Sequence, residues 1–91
     1  MRREVRVVNR QGLHARPSTR LVEIANRYSS QISIHATGQT ANAKSVISVL
    51  TLGVLPDTPV VVEADGADEA AAVEALCVEI SRGFGLLDEE R

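Results

Sequence analysis

"QISIHATGQTANAKSVISVL", residues 31–50, is the stretch on which the fold turns. Ile32, Ile34 and Ala36 alternate with Ser33 and His35, the period of a strand with one buried face. Thr37-Gly38 then reverses the chain, and Ala41 and Ala43 carry the alternation into a second strand. Ser45 follows as a helix N-cap ahead of "VISVLTL", with Gly53 as the stop. A hairpin running into a short helix is the middle of the molecule.

Working outward, "EVRVV" at residues 4–8 sets Val5 and Val7 against Glu4 and Arg6, a half-buried first strand. After a turn at Gln11-Gly12, Leu21, Ile24, Ala25 and Tyr28 recur at helical spacing. Pro17 suits the first turn of that helix, where the amide it lacks would have no intrahelical partner. Beyond the middle, Pro56 and Pro59 bracket a turn around Asp57. "VVVEA" at residues 60–64 is a fourth strand, with Val60, Val62 and Ala64 on one face. "DGADEAAAVEALCVEISRGF", residues 65–84, is the longest helix. Its expected stripe is Ala70, Val73, Leu76, Cys77, Ile80 and Phe84, with Asp68 as the cap and Gly83 or Gly85 as the end. The final "LLDEER" reads as a loose tail.

The order strand, helix, strand, strand, helix, strand, helix (βαββαβα) predicts a two-layer α+β domain. Its simplest form is an antiparallel sheet with helices on one face and water on the other. Ninety-one residues make one domain, 1–91, with a small core. Hydrophobic residues make up 44% and charged residues 24%, and only Tyr28 and Phe84 are aromatic, so aliphatic packing must carry that core. Cys77 is alone, which excludes an intrachain disulfide, and its place on an apolar stripe reads as a buried thiol. "MRREVRVV" lacks the apolar region of a secretory signal, and no apolar run approaches the ~18 residues of a membrane span. These features predict a cytoplasmic monomer without membrane insertion.

The net charge of −2 argues against nucleic acid as a partner, but it is unevenly placed. Residues 1–50 carry eight Lys and Arg against two Glu, and the rest carry two Arg against ten acids. The positive half also holds "NRQGLHARPST", residues 9–19, where His14 stands just ahead of a helix. Imidazole, with an ordinary pKa of ~6.5, is mostly neutral at pH 7 and keeps a ring nitrogen free to act as nucleophile or base. The helix that follows turns unsatisfied amides and its positive dipole end toward this loop, and Arg16 adds a planar, permanently charged anion ligand. Such a site can hold a phosphoryl group, although a lone histidine here could also serve as a helix cap or loop surface. His35 alternates onto the solvent side of its strand and reads as non-functional. The histidines and Cys77 lack metal-ligand spacing, and no Gly-rich nucleotide loop or nucleophilic-serine motif occurs, so neither metal nor cofactor is expected.

"GLHARPS" at residues 12–18, "AKSVISVLTLGV" at 43–54 and "EADGADEAAAVEAL" at 63–76 together resemble the HPr family of bacterial phosphotransferase-system phosphocarriers, which includes the nitrogen-related NPr branch. The resemblance covers nearly the whole chain. It implies an open-faced β-sandwich, an antiparallel sheet of order 1-4-2-3 with three helices on one face. It further implies that His14 is phosphorylated at Nδ1 and that Arg16 assists. Enzyme I would donate the phosphoryl group, derived from phosphoenolpyruvate, and an enzyme IIA domain would receive it. Ser45 matches the family's regulatory serine, the target of HPr kinase/phosphorylase. "NAKSVISV" is similar to the kinase-recognised form, while "SRGFG" is similar to the nitrogen branch. The family's partner-binding patch maps to Ala15, Arg16, Thr19 and Arg20 of the first helix and Val46, Ile47 and Leu50 of the second.

Two other classes share parts of this pattern. One is a regulatory protein whose phosphorylation state controls partner proteins without moving sugar. The other is a ferredoxin-like effector-binding or metal-carrying domain, which lacks a cysteine pair here and leaves the His-Ala-Arg-Pro run unexplained.

Overall fold

The computed structural model describes residues 1–90. Four strands, β1 (Arg2–Arg6), β2 (Gln31–Ala36), β3 (Gln39–Asn42) and β4 (Pro59–Asp65), form one sheet of order β1-β4-β2-β3. Every neighbouring pair is antiparallel. Three helices, α1 (Ala15–Ala25), α2 (Val46–Thr51) and α3 (Glu69–Ser81), cover one face, and two 3-10 turns, Gly83–Gly85 and Leu87–Glu90, follow α3. This is the expected βαββαβα open-faced sandwich.

The alternation explains the layers. Ile32, Ile34, Ala36, Ala41, Val60, Val62 and Ala64 all point at the helices and are buried. Leu21, Val22, Ile24 and Ala25 of α1 and Val73, Leu76, Cys77 and Ile80 of α3 meet them in a single cluster. The other sheet face is polar. There His35 lies between two strands, with Nδ1 2.8 Å from Thr40 Oγ1 of β3 and Nε2 2.7 Å from Glu63 Oε1 of β4. The hydrogen bond with His35 holds the Glu63 carboxyl below its ordinary value, and Arg2 acts in the same direction. His35 is thus a solvent-side residue, as expected, and it also ties the sheet laterally.

Several local expectations shift. α1 begins at Ala15, which keeps Pro17, its third residue, in the first turn as expected, but Tyr28 lies beyond its end. Ala70 is exposed and Ala72 is buried instead. The buried arc of α3 is centred on Leu76 and Ile80, and at ~100° per residue Ala70 falls at its margin. Asp68 occupies the cap position of α3 without making a side-chain cap bond. Its carboxylate instead accepts from the amides of Ser29 and Ser30 and from the Ser30 hydroxyl.

The "loose tail" is the largest departure. Gly83, Phe84 and Gly85 all have positive φ, at 64°, 58° and 72°, so the chain reverses at the end of α3 instead of running on into solvent. Phe84 and Leu86 are buried, and the Leu87–Glu90 turn lies back toward the loop before α1. Two glycines supply the left-handed geometry that side-chain-bearing residues resist. Burial of Phe84 and Leu86 offsets the strain at Phe84, the one residue with a side chain among the three. Arg91, the last residue of that expected tail, lies outside the described residues.

Candidate functional site

The loop from Asn9 to His14 is held from three sides. Gly12 N donates to Asn9 O at 2.9 Å, closing a turn, and Leu13 N donates to Val54 O at 3.0 Å in the connection after α2. Gly12 has φ +68°, and a Cβ there would stand 1.9 Å from Val54 O. Only glycine permits this approach. Asn9, fully buried, donates from Nδ2 to Gly83 O at 3.0 Å, which fastens the loop to the turn after α3. Ser18, also buried, returns its hydroxyl to Leu13 O at 2.9 Å.

This bracing delivers His14 to the N-cap of α1 in extended geometry, with no capping bond from its side chain. Its carbonyl takes the first helical bond, from Ser18 N at 3.0 Å. The capping function therefore belongs to the backbone of His14 and leaves the ring outside that role. Ala15 and Arg16, the first two helical residues, have amides without intrahelical acceptors, and the helix dipole adds positive potential at the same end.

A cavity of about 240 Å³ is bordered by Arg10, Gln11, His14, Arg16, Leu86 and Glu89. It brings His14 and Arg16 together, as the spacing suggested. Arg10, Gln11, Leu86 and Glu89 were not anticipated. Arg10 and Gln11 lie in the loop quoted above, but nothing local marks Leu86 or Glu89, whose placement depends on the left-handed turn after α3. Arg16 forms an ion pair with Glu89. Among the described residues, no group of three or more His, Cys, Asp or Glu is placed to hold a metal ion.

The neighbouring surface carries the other sequence candidates. Ala15, Arg16, Thr19 and Arg20 are exposed on α1, where with Glu23 they border a shallow depression. α2 is apolar on two arcs, and the fold buries only one of them. Val49 and Leu52 are buried, whereas Ile47 is 78% and Leu50 39% exposed, with Val46 half-buried between the two arcs. Leu55, 68% exposed, adds an apolar residue that periodicity could not find because it lies in a loop. Ser45 caps α2, its hydroxyl accepting from Ser48 N at 3.3 Å. Among the described residues no helix is long and apolar enough to cross a membrane.

Residues 1–81 match the family profile described as "PTS HPr component phosphorylation site". Among solved structures, HPr from Thermoanaerobacter tengcongensis is 36% identical with a TM-score of 0.89, covering 93% of this chain and 96% of its own. The phosphocarrier HPr of Bacillus anthracis is 32% identical with a TM-score of 0.84, covering 88% and 95% respectively. A histidine-containing phosphocarrier protein from Mycoplasma is 29% identical with a TM-score of 0.84, covering 96% and 97%.

Proposed function

The chain belongs to the HPr family of histidine phosphocarriers of the phosphotransferase system, and from that premise we propose that His14 is its phosphoryl acceptor and donor. The observation that carries the reading is the placement of His14 at the head of α1, its ring outside the capping role and bordering one cavity with Arg16. A ring nitrogen attacks the phosphorus of a phosphorylated enzyme I. The new P–N bond on His14 forms as the donor's own bond to phosphorus breaks, and the proton on His14's other ring nitrogen is given up as the donor's leaving atom takes one. The guanidinium of Arg16 and the amides at the start of α1 supply positive potential to the phosphoryl oxygens. The group then passes to an enzyme IIA domain.

The docking surface for both partners is the exposed apolar pair Ile47 and Leu50, with Val46, beside Ala15, Arg16, Thr19 and Arg20. An apolar centre with a basic rim suits a transient acidic partner. Ser45 would act as a regulatory site for an HPr kinase/phosphorylase, since a phosphate there keeps the cap position while adding about −1.5 to −2 charges beside that surface. The alternative, a nitrogen-branch carrier that controls partner proteins without sugar transport, draws support from the Ser81–Gly85 run.

Incubation with enzyme I and phosphoenolpyruvate, read by intact mass, should add one acid-labile phosphate. His14→Ala should abolish it and His35→Ala should retain it, while Arg16→Lys should fold yet transfer more slowly because an ammonium lacks the bidentate fork. Phosphorylation of His14→Ala would overturn the assignment. Onward transfer to a sugar transporter's enzyme IIA separates the two branches.

A further inference from the structure

α1 and α3 lie side by side, and the solvent side of their seam is a groove of about 590 Å³. α1 supplies Arg20, Glu23 and Ile24, and Arg27 follows in the turn that closes it, its amide donating to Ile24 O at 3.0 Å. α3 supplies Ala75, Val78 and Glu79. We propose that this groove is a second protein-interaction surface. Its occupant is an amphipathic helix of a partner protein, carrying an acidic, a basic and an acidic residue in turn along the side that faces α1.

Both walls follow one rule of spacing. Arg20, Glu23 and Ile24 on α1, like Ala75, Val78 and Glu79 on α3, stand at i, i+3 and i+4, positions that share one face of a helix. Two adjacent helices that each turn such a face to the same groove offer a seat for a third. Val78 marks the seat as apolar. It is 48% exposed on a helix whose Val73, Leu76 and Ile80 are fully buried. Ile24, buried, and Ala75, half-buried, carry the apolar surface across the seam.

The charges specify the occupant. On the α3 wall Glu79 is already held by Arg82, at 2.5 Å. On the α1 wall Arg20, Glu23 and Arg27 are all exposed and form no ion pair among the described residues. They present plus, minus, plus over about two helical turns. Their spacing is three residues and then four, which an antiparallel helix matches with four and then three. A partner with carboxylate, ammonium and carboxylate at i, i+4 and i+7 therefore meets all three while its apolar side rests on Ile24, Ala75 and Val78. The same pattern disfavours a second copy of this chain, because a two-fold pairing of the α1 walls would oppose Arg20 to Arg27 and Glu23 to itself. Arg20 is the one groove residue shared with the surface proposed for enzyme I, so the groove is tested through the others.

The probe is a synthetic helical peptide on an alanine background, with leucines at its first, fourth, eighth and eleventh positions, glutamates at its fifth and twelfth and a lysine at its ninth. Binding is followed by fluorescence anisotropy and by NMR shifts of the Val78 methyl groups. Wild type should bind the peptide with shifts confined to the groove, and its affinity should fall about fivefold in Arg27→Glu and again in Val78→Gln. Replacing the peptide's fifth residue by lysine should restore binding to Arg27→Glu while weakening binding to wild type, a reciprocity that damage to the fold would not produce. Ile47→Glu should bind the peptide as wild type does. No binding at ~1 mM peptide, equal binding of a peptide with all three charges reversed, or shifts centred on Ile47 overturns the proposal. Self-association of wild type through the groove would replace the partner helix with a second copy and overturn it as well. Each of these outcomes leaves phosphorylation of His14 by enzyme I untouched, so failure here is distinct from failure of the carrier reading.

Discussion

Ser30 gives Asp68 both its hydroxyl, at 2.5 Å, and its amide, at 3.0 Å, and the amide of Ser29 adds a third bond at 2.9 Å. One carboxylate thereby ties the head of α3 to the chain entering β2. The Ser30 hydroxyl is the largest cause, and the Ser29 amide the next, of an Asp68 pKa lowered from 3.8 to about 2. A carboxyl whose pKa is depressed on folding stabilises the folded state when ionised in both states, and that contribution is lost as pH falls through the folded value. The Asp68 contribution should therefore be complete above about pH 4 and fade toward pH 2. Urea titrations from pH 7 to pH 2 should show Asp68→Asn less stable than wild type at neutral pH, with the two curves converging at the acid end. Parallel curves across the range would show that the strap contributes nothing in its charged form.

The same residue shows where local reading stops. An aspartate just ahead of an apolar helical stripe predicts a cap, and the position is right. Which amides its carboxylate takes is decided by β2 arriving beside it, a tertiary event with no local signature. The strands were legible because alternation such as Ile32, Ile34, Ala36 is a local consequence of burying one face. The cavity was half legible for the same reason: His14 and Arg16 sit in one short run, whereas Glu89 reaches Arg16 only through a reversal at Phe84. Glycines on both sides of Phe84 hinted at a chain turn but not at its direction.

The two arcs of α2 give a paired prediction. Val49 is fully buried and Ile47 is 78% exposed, though both are β-branched aliphatic residues two positions apart. Val49→Ala removes two methyl groups from the core and should cost about 2 kcal/mol, with little effect on enzyme I affinity. Ile47→Glu should leave the melting temperature nearly unchanged and weaken enzyme I binding, since it places an acid at the centre of the proposed patch. Titration calorimetry beside thermal melts checks both. Undiminished affinity in Ile47→Glu would remove α2 from the docking surface.

Ser45 caps α2 through its side chain and backbone, with Val49 N donating to Ser45 O at 3.1 Å. Aspartate serves the same position about as well as serine, so Ser45→Asp should melt within a few degrees of wild type. Its charge stands at the edge of the Ile47 surface and should slow phosphoryl transfer from enzyme I several-fold, more at low salt than at high. Single-turnover transfer rates at two ionic strengths check this. Rates equal to wild type at both would leave Ser45 with a capping role alone.

Gly12 and Gly53 separate backbone strain from steric conflict. Both have positive φ, at 68° and 60°. A Cβ on Gly53 would meet nothing within 4 Å, whereas one on Gly12 would lie 1.9 Å from Val54 O and 2.9 Å from Leu55 Cα. Gly53→Ala should therefore cost only the left-handed penalty, about 1–2 kcal/mol. Gly12→Ala carries that penalty too, and its clash is with backbone, which cannot swing aside as a side chain can. Relief requires the Gly12–Leu13 segment to move off Val54, breaking the Leu13 N to Val54 O bond and displacing the His14 that follows. Gly12→Ala should thus lose clearly more stability than Gly53→Ala and, at temperatures where it remains folded, accept phosphate from enzyme I more slowly. Denaturant melts rank the stabilities, and transfer rates normalised to the folded fraction isolate the displacement of His14. Equal stability losses in the two variants would mean the loop yields freely at Val54, and wild-type transfer by folded Gly12→Ala would mean that this bracing does not position the histidine.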